Sequence, residues 1–278
     1  QVTSKNLYIV STPIGNLEDI TLRALDVLKK SDIILCEDTR QSIKLLNHYK
    51  IKKKLIPYHK FNEKKQITPV IKYFNDGKIL SLISDAGTPL LSDPGRLLVN
   101  ECLINHIKVT PIPGPSSITA AMSVSGFKDK FLFFGFLPKT HNELEKVLET
   151  LSRSNFTQVF FIPSKKINFY FKSFKKFFSG RKIIIAKEIT KIHEEFYRED
   201  IDKLNVIDNS FKGELTVIIS NQSVNIKKEI NEEKIVNKAK KYLKKYSLKD
   251  TVDLILETEK INRKKIYDLC LKIKNEKN

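Results

Sequence analysis

The chain has 278 residues, 41 % hydrophobic with 17 Phe, and a formal net charge of +18. That is enough apolar material for two ordinary domains and a small appendage, which excludes wholesale disorder. The longest apolar run, Phe-Leu-Phe-Phe-Gly-Phe-Leu at 131–137, is far short of the roughly twenty residues of a membrane helix, so no membrane span is expected. Cys36, Cys102 and Cys270 are odd in number and lack paired metal-ligand spacing, and residues 1–7 lack the apolar core of a signal peptide. A reduced, cytoplasmic protein without a structural metal is expected. The positive charge suits a polyanionic partner. Only seven of the fifty basic residues are Arg, so AT-rich codon usage would produce much the same balance, and both readings stand.

Along the first 115 residues, apolar runs at 7–11, 33–37, 79–84 and 107–112 alternate with amphipathic segments, as in a wound α/β domain with a parallel sheet. The first helical pattern, at 21–30, puts Leu22, Leu25 and Leu28 on one face and ends in two lysines that suit a helix C-terminus. Each run is followed by a loop with the composition of a ligand site. The first is Ser-Thr-Pro-Ile-Gly-Asn-Leu at 11–17, and the second is Glu37-Asp38-Thr39-Arg40.

The third loop, Ser-Asp-Ala-Gly-Thr-Pro-Leu-Leu-Ser-Asp-Pro-Gly at 84–95, is the most telling. Gly87 and Gly95 present bare backbone and accept positive φ, while Pro89 and Pro94 fix the shape of the loop. Asp85 and Asp93 are acceptors, with Asp85 expected to face the chemistry and Asp93 to cap a helix beginning near Pro94. The fourth loop is Pro-Gly-Pro-Ser-Ser at 113–117, where Ser116 and Ser117 serve either as helix caps or as ligand contacts. In open α/β sheets ligands sit beyond the carboxyl ends of the strands, where these loops fall. No Gly-x-Gly-x-x-Gly or Gly-x-x-x-x-Gly-Lys-Ser/Thr spacing occurs, which argues against a conventional dinucleotide enzyme and a P-loop NTPase.

After the stiff Pro-rich stretch at 111–115 the texture changes. Strand patterns at 131–136, 159–162, 182–187, 194–198 and 215–220, with helices at 142–151 and 167–178, predict a second α/β domain with antiparallel pairs. The segment 194–198 is close enough to 182–187 to return beside it. Residues 223–278 hold 16 basic and 9 acidic side chains, with helical patterns at 238–246, 248–258 and 262–273 and Ser247 and Asn262 as caps. This basic tail reads equally as a helix-turn-helix and as a solvated bundle. The expected domains are 1–115, 116–222 and 223–278.

Taken together, the loops at 7–21, 36–40, 84–95 and 112–117, with Phe-Gly-Phe-Leu-Pro at 134–138 and, more faintly, 187–195, resemble the rRNA-modifying branch of the tetrapyrrole methylase superfamily. The resemblance spans nearly the whole chain. It implies two α/β domains with a parallel-rich first sheet and a mixed second sheet, and S-adenosylmethionine held between them. It also implies 2′-O-methylation of a cytidine ribose in 16S rRNA of the small ribosomal subunit, and a homodimer. Transferred to this chain, it implies a cofactor site of Pro13, Gly15, Ser84, Asp85, Ala86, Gly87, Gly114, Ser116 and Ser117. The proton acceptor is then Asp85, Asp38 or Glu188, each of which serves equally well as a binding or structural acid. Arg40 and Lys191 become RNA phosphate contacts, and no metal is needed.

Two departures stand out. Where the family has an aromatic-Glu-Ser-Pro-His-Arg run, this chain has Phe161-Ile162-Pro163-Ser164-Lys165-Lys166, and Lys187 replaces an Arg, losing its planar fork. The other readings of the residues are a methylase of an acidic tetrapyrrole macrocycle and a ribosome-associated RNA-binding module without turnover.

Overall fold

Alternate residues of five short apolar strands face two different cores, and this arrangement builds the first sheet. In the computed structural model, which describes residues 2–208, 213–221, 232–258 and 263–275, the chain begins as repeated strand–helix units. These are β1 (Asn6–Val10), α1 (Leu22–Lys30), β2 (Ile33–Cys36), α2 (Thr39–His48), β3 (Lys54–Pro57), α3 (Glu63–Asn75), β4 (Leu80–Ile83), α4 (Arg96–Ile104) and β5 (Lys108–Ile112). The strands are all parallel, in the order β3-β2-β4-β1-β5. Tyr8, Val10, Ile34, Cys36 and Ile83 pack on Ala24, Val27 and Leu28 of α1 and Leu46 of α2. Leu7, Ile33, Leu35, Leu80 and Leu82 face the opposite way, onto Val70 and Phe74 of α3 and Leu98 and Cys102 of α4. With every connection a crossover helix, the loops after the strands all emerge along one edge.

The apolar face of α1 differs from the one its leucine spacing predicts. Leu22 is 87 % exposed, and the buried stripe is Ala24, Val27 and Leu28. Thr21 caps the helix by accepting from the Ala24 N–H, which sets the rotation so that the i, i+3, i+4 stripe begins at 24. Strand β3 was not anticipated, because it is four residues long, begins with a lysine and ends with a proline.

The second sheet is mixed. After α5 (Ser117–Ser123) come β6 (Phe131–Phe136), α6 (His141–Ser152), β7 (Thr157–Pro163), α7 (Ile167–Phe178), β8 (Lys182–Lys187), β9 (Glu195–Asp200) and β10 (Glu214–Ile219). The order is β6-β7-β10-β8-β9, with β6 and β7 parallel and the other pairs antiparallel, β9 returning beside β8. One face, with Phe160, Ile162, Ile183, Ile185, Leu215, Val217 and Ile219, buries against Leu144 and Leu148 of α6 and Phe174 and Phe178 of α7. The other face carries Val159, Ile184, Ala186 and Ile218 and meets Ile118 and Ala121 of α5. Both sheets belong to one compact unit, Gln1–Gln222.

The second unit, Ser223–Asn278, contains α8 (Glu232–Tyr242), α9 (Leu248–Thr258) and α10 (Arg263–Asn275) around Ile235, Ala239, Val252, Ile255, Ile266, Cys270 and Ile273. Ser247 and Asp250 cap α9 reciprocally, the Asp250 N–H donating to Ser247 Oγ at 3.2 Å and the hydroxyl donating to Asp250 Oδ2 at 2.6 Å. Helix α8 begins before and ends short of the expected 238–246, and Asn262 lies outside the described residues. Among the described residues no helix is long and apolar enough to cross a membrane.

The start of α4 corrects one expectation. Its N-cap position is Gly95, with φ +129°, and Asp93 does not cap it. The buried carboxylate of Glu63 does that work from the start of α3, accepting from the Gly95 and Leu97 N–H groups at 3.1 Å each. Glycine is required there, since a Cβ would stand 2.7 Å from Leu82 Cδ2. Replacing Glu63 by Ala leaves two helix N–H groups without their acceptor, and we expect a loss of about 1–2 kcal/mol in urea unfolding, with Glu63→Gln recovering part of it.

Candidate functional site

The loops along the carboxyl edge of the first sheet are fastened to each other by short polar contacts. Thr12 and Gly87 exchange two backbone hydrogen bonds, Thr12 N to Gly87 O at 2.9 Å and Gly87 N to Thr12 O at 3.0 Å. This clamps the loop after β1 to the loop after β4. Gly87 has φ +76°, and a Cβ would lie 3.2 Å from Ile14 Cγ2, so glycine suits both the backbone and the space. The Ser11 and Thr88 hydroxyls lie 2.9 Å apart, and Thr88 Oγ1 donates to Pro115 O at 3.2 Å, bringing in the loop after β5. Gly114 packs against Ser11, where a Cβ would fall 2.9 Å from the Ser11 Cβ. The loop after β2 joins through the Asp38 N–H, which donates to Asp85 Oδ1 at 3.0 Å.

The second sheet supplies the opposite wall by its period of two. Thr216 pairs with Phe161 on one side and with Ala186 on the other, so the three side chains form a row across β7, β10 and β8. Glu214, the first residue of β10, lies on the same face as Thr216, and Glu188 stands just past the end of β8. A cleft of about 270 Å³ results, lined from the first sheet's loops by Ile14, Ala86, Gly87, Thr88 and Asp93. Ser116, Ser117 and Ile118 add the start of α5, and Phe136, Phe161, Ala186, Glu188, Ile189, Lys191, Glu214 and Thr216 complete it from the second sheet.

Of the residues expected from sequence, Ala86, Gly87, Ser116, Ser117, Glu188 and Lys191 line this cleft. Ser116 occupies the N-cap position of α5 without a side-chain cap bond. Pro13 and Ser84 are buried in the loops beside the lining residues Ile14 and Ala86. Gly15 lies under the loop after β8, where a Cβ would stand 2.6 Å from Lys191 Cγ and 2.7 Å from Thr190 Oγ1. The Asn16 N–H donates to that same Thr190 hydroxyl at 2.9 Å. Glu188 and Thr190 both have left-handed backbone, φ +52° and +71°, an uncommon strain for a β-branched residue such as Thr190.

The expected ionic residues already have partners. Asp38 accepts from the Arg40 N–H as the cap of α2 and takes a two-point fork from its guanidinium, Nε to Oδ1 at 3.1 Å and Nη2 to Oδ2 at 2.8 Å. Those hydrogen bonds hold the Asp38 carboxyl below the usual range. Lys191 Nζ pairs with Glu188 Oε1 at 2.9 Å. Asp85 sits at the rim, accessible but with protein on its inner side. Desolvation pushes its carboxyl up and the charge of Asp38 adds to this, against the lowering effect of the Asp38 N–H.

Sequence patterning reads Asp93 as an acceptor but favours it as a helix cap, and it assigns no site role to Glu214, Thr216, Phe136 or Phe161. For Glu214 the available sequence signal is a glycine directly before an apolar run, Gly213, whose φ in the structure is +143°. Asp93 is half-buried, and its carboxyl rises from 3.8 to about 6, chiefly through burial and then through the charge of Glu37. Burial and the Asp93 charge likewise push Glu214 up to about 7, although its side chain opens to water at the cleft mouth, where screening weakens the effect. In a protein of charge +18, three carboxylates and one ammonium therefore line the cleft, a donor set suited to a ligand with a cationic centre. Among the described residues no group of three His, Cys, Asp or Glu side chains is placed to hold a metal.

The folded state holds the Asp93 proton more tightly than the unfolded chain does. The stability this contributes is complete below about pH 4 and is lost as pH rises through 6. Asp93→Asn is free of that loss. Its stability relative to the parent should rise by about 1 kcal/mol between pH 4.5 and 7.5, a figure reduced for water at the cleft mouth and read from urea midpoints at the two pH values.

The family described as Tetrapyrrole (Corrin/Porphyrin) Methylases matches residues 6–205. The chain is 45 % identical over 218 residues to the Ribosomal RNA small subunit methyltransferase I of Mesomycoplasma conjunctivae, covering 78 % of this chain and 91 % of the relative. It is 40 % identical over 278 residues to the protein of the same name from Rickettsia prowazekii, covering 98 % and 99 %. Among solved structures, the methyltransferase CobJ superposes with a TM-score of 0.60 at 15 % identity, covering 77 % of this chain and 93 % of that one. Diphthine synthase superposes with 0.59 at 14 % identity, covering 77 % and 90 %. At those identities the likeness is one of fold.

Proposed function

The chain belongs to the tetrapyrrole methylase family, and from that premise we propose that it methylates the 2′-oxygen of a cytidine ribose in the decoding region of 16S rRNA, using S-adenosylmethionine. One observation carries the choice of RNA over a tetrapyrrole. The likeness to a small-subunit rRNA methyltransferase, 40 % identical over 278 aligned residues, covers 98 % of this chain and so extends into the final segment, well past the end of the family match at residue 205. That final segment is the basic one, with 16 cationic and 9 anionic side chains. In this reading the protein works in the cytoplasm on the small subunit, as a homodimer for which the exposed Phe131 and Phe134 of the outer strand β6 offer apolar contacts.

The cleft fits the cofactor. Ile118, Phe161 and Ile189 offer apolar surface for a nucleobase, and Gly87 brings bare backbone to the ligand. Asp93, Glu188 and Glu214 offer acceptors for ammonium and hydroxyl groups and a negative field for the sulfonium. When bound, S-adenosylmethionine supplies a methyl group on a cationic sulfur. The chain then has to orient the ribose and take its proton. Asp85 is the proton acceptor, at a carboxylate oxygen whose basicity its partly desolvated rim position raises. Asp38 positions it through the N–H donated to Asp85 Oδ1. Glu188, held by Lys191, is the second acceptor facing the cleft. Arg40 and Lys191 meet phosphates by exchanging their present carboxylate partners.

Incubation with small subunits and labelled methyl donor, followed by mass mapping of 16S rRNA, should place the label on one cytidine ribose. Label on a small tetrapyrrole in place of RNA would overturn the reading. Asp85→Asn should slow transfer about 10²- to 10⁴-fold with the donor affinity retained. Removal of the basic C-terminal unit should weaken small-subunit binding at least tenfold while donor binding, followed by calorimetry, stays within about twofold.

A further inference from the structure

Beyond the cleft, the same edge of the first sheet carries a fully formed feature that the proposed chemistry leaves unused. Strand β3 runs out through Tyr58, whose N–H donates to Cys36 O at 2.8 Å, and the chain then turns sharply at residues 59–62. Asn62 locks the turn from both sides. Its Oδ1 accepts from the His59 N–H at 2.8 Å, its Nδ2 donates to Pro57 O at 2.9 Å, and its own N–H donates to His59 O at 3.0 Å. At the tip stands Phe61, 83 % exposed and the most exposed aromatic side chain among the described residues. Scattered exposed apolar side chains are ordinary. This one is held on a rigid turn, with Lys60 Nζ 4.9 Å from its ring centroid and the His59 ring edge-on at 6.0 Å.

The turn is also tied to the ligand loop. Glu63, the residue after Asn62, is the carboxylate that holds the Gly95 and Leu97 N–H groups at the end of the 84–95 loop. The charges of His59, Lys60 and Asp85 all act on Glu37 at the end of β2, so these groups share one stretch of the sheet edge. His59 Nδ1 is buried and has no hydrogen-bond partner among the described residues. The backbone that carries Phe61 is therefore tied to Asp85 by short covalent and hydrogen-bonded paths, through Tyr58 N–H to Cys36 O and Asp38 N–H to Asp85 Oδ1.

We infer that Phe61, flanked by Lys60 and His59, is a stacking platform for an unpaired nucleobase of the RNA substrate, with Lys60 meeting the adjoining phosphate. The inference rests on the RNA reading above. An aromatic face accepts any base, and a fixed distance to the methyl-transfer site turns stacking into positioning. A duplex offers no free base face, so the platform selects unpaired RNA.

The chain contains no Trp, so Phe61→Trp places a single indole reporter on the platform. Its fluorescence should be quenched by single-stranded oligocytidine and left unchanged by an RNA duplex of equal length. In methyl transfer to small subunits, Phe61→Ala should raise KM for the subunit about 5- to 100-fold, with the effect on KM and not on kcat. Phe61→Tyr should retain the parent KM, and Phe61→Leu, which keeps apolar bulk without a π face, should behave as Ala does. Lys60→Ala should lower the slope of log K against log salt by about one. Absence of quenching together with an unchanged KM for Phe61→Ala overturns the platform, as does a Leu variant equal to the parent. Quenching by single-stranded RNA without any transfer to rRNA upholds the platform while the RNA methylation reading fails.

Discussion

Two backbone hydrogen bonds between Thr12 and Gly87 hold the site together. They join loops that follow two neighbouring strands of the first sheet, and they form because Gly87 adopts a left-handed conformation with its α-carbon against Ile14. Ser11, Thr88 and the Pro115 carbonyl extend the clamp to the loop after β5. A parallel sheet delivers its loops to one edge but leaves each free to find its own conformation. The clamp removes that freedom before any ligand arrives, which lowers the ordering cost of binding.

Electrostatics then divide the molecule. The surface and the C-terminal segment are strongly basic, whereas the cleft collects Asp93, Glu188 and Glu214. These acids come from different strand ends, and partial burial raises two of them toward neutrality. The acids of the cleft suit a cationic small molecule, and the basic excess of the chain as a whole suits a polyanionic macromolecule. Asp85 and Asp38 are joined beside the cleft by the Asp38 N–H donated to Asp85 Oδ1.

Much of the fold was legible because two short-range signals coincide in it. Unbroken apolar runs such as Ile-Ile-Leu-Cys in β2 mark strands buried on both sides, and Gly, Pro and Asp after them mark the loops. Strand β3 escaped because an edge strand of four residues has too little pattern. The first-sheet half of the site was legible as composition. The second-sheet half was not, since Phe161, Thr216 and Ala186 become neighbours only when β7, β10 and β8 align, and no local sequence signal encodes that register. Asp93 misled for another reason: a remote residue, Glu63, had taken the capping role that its position suggested.

The period of two in the second sheet has a consequence for how this protein tolerates change. In β10 the odd residues Leu215, Val217 and Ile219 fill the core under α6 and α7, while Glu214, Thr216 and Ile218 face α5 and the cleft. Substitutions can thus tune ligand contacts and packing as separate variables. Insertions cannot, because adding one residue within β10 exchanges the two sets, delivering a carboxylate to the core and leucine to the ligand. Length variation among descendants of this chain is therefore confined to the strand ends and loops, and the interior of β7, β8 and β10 evolves by replacement alone.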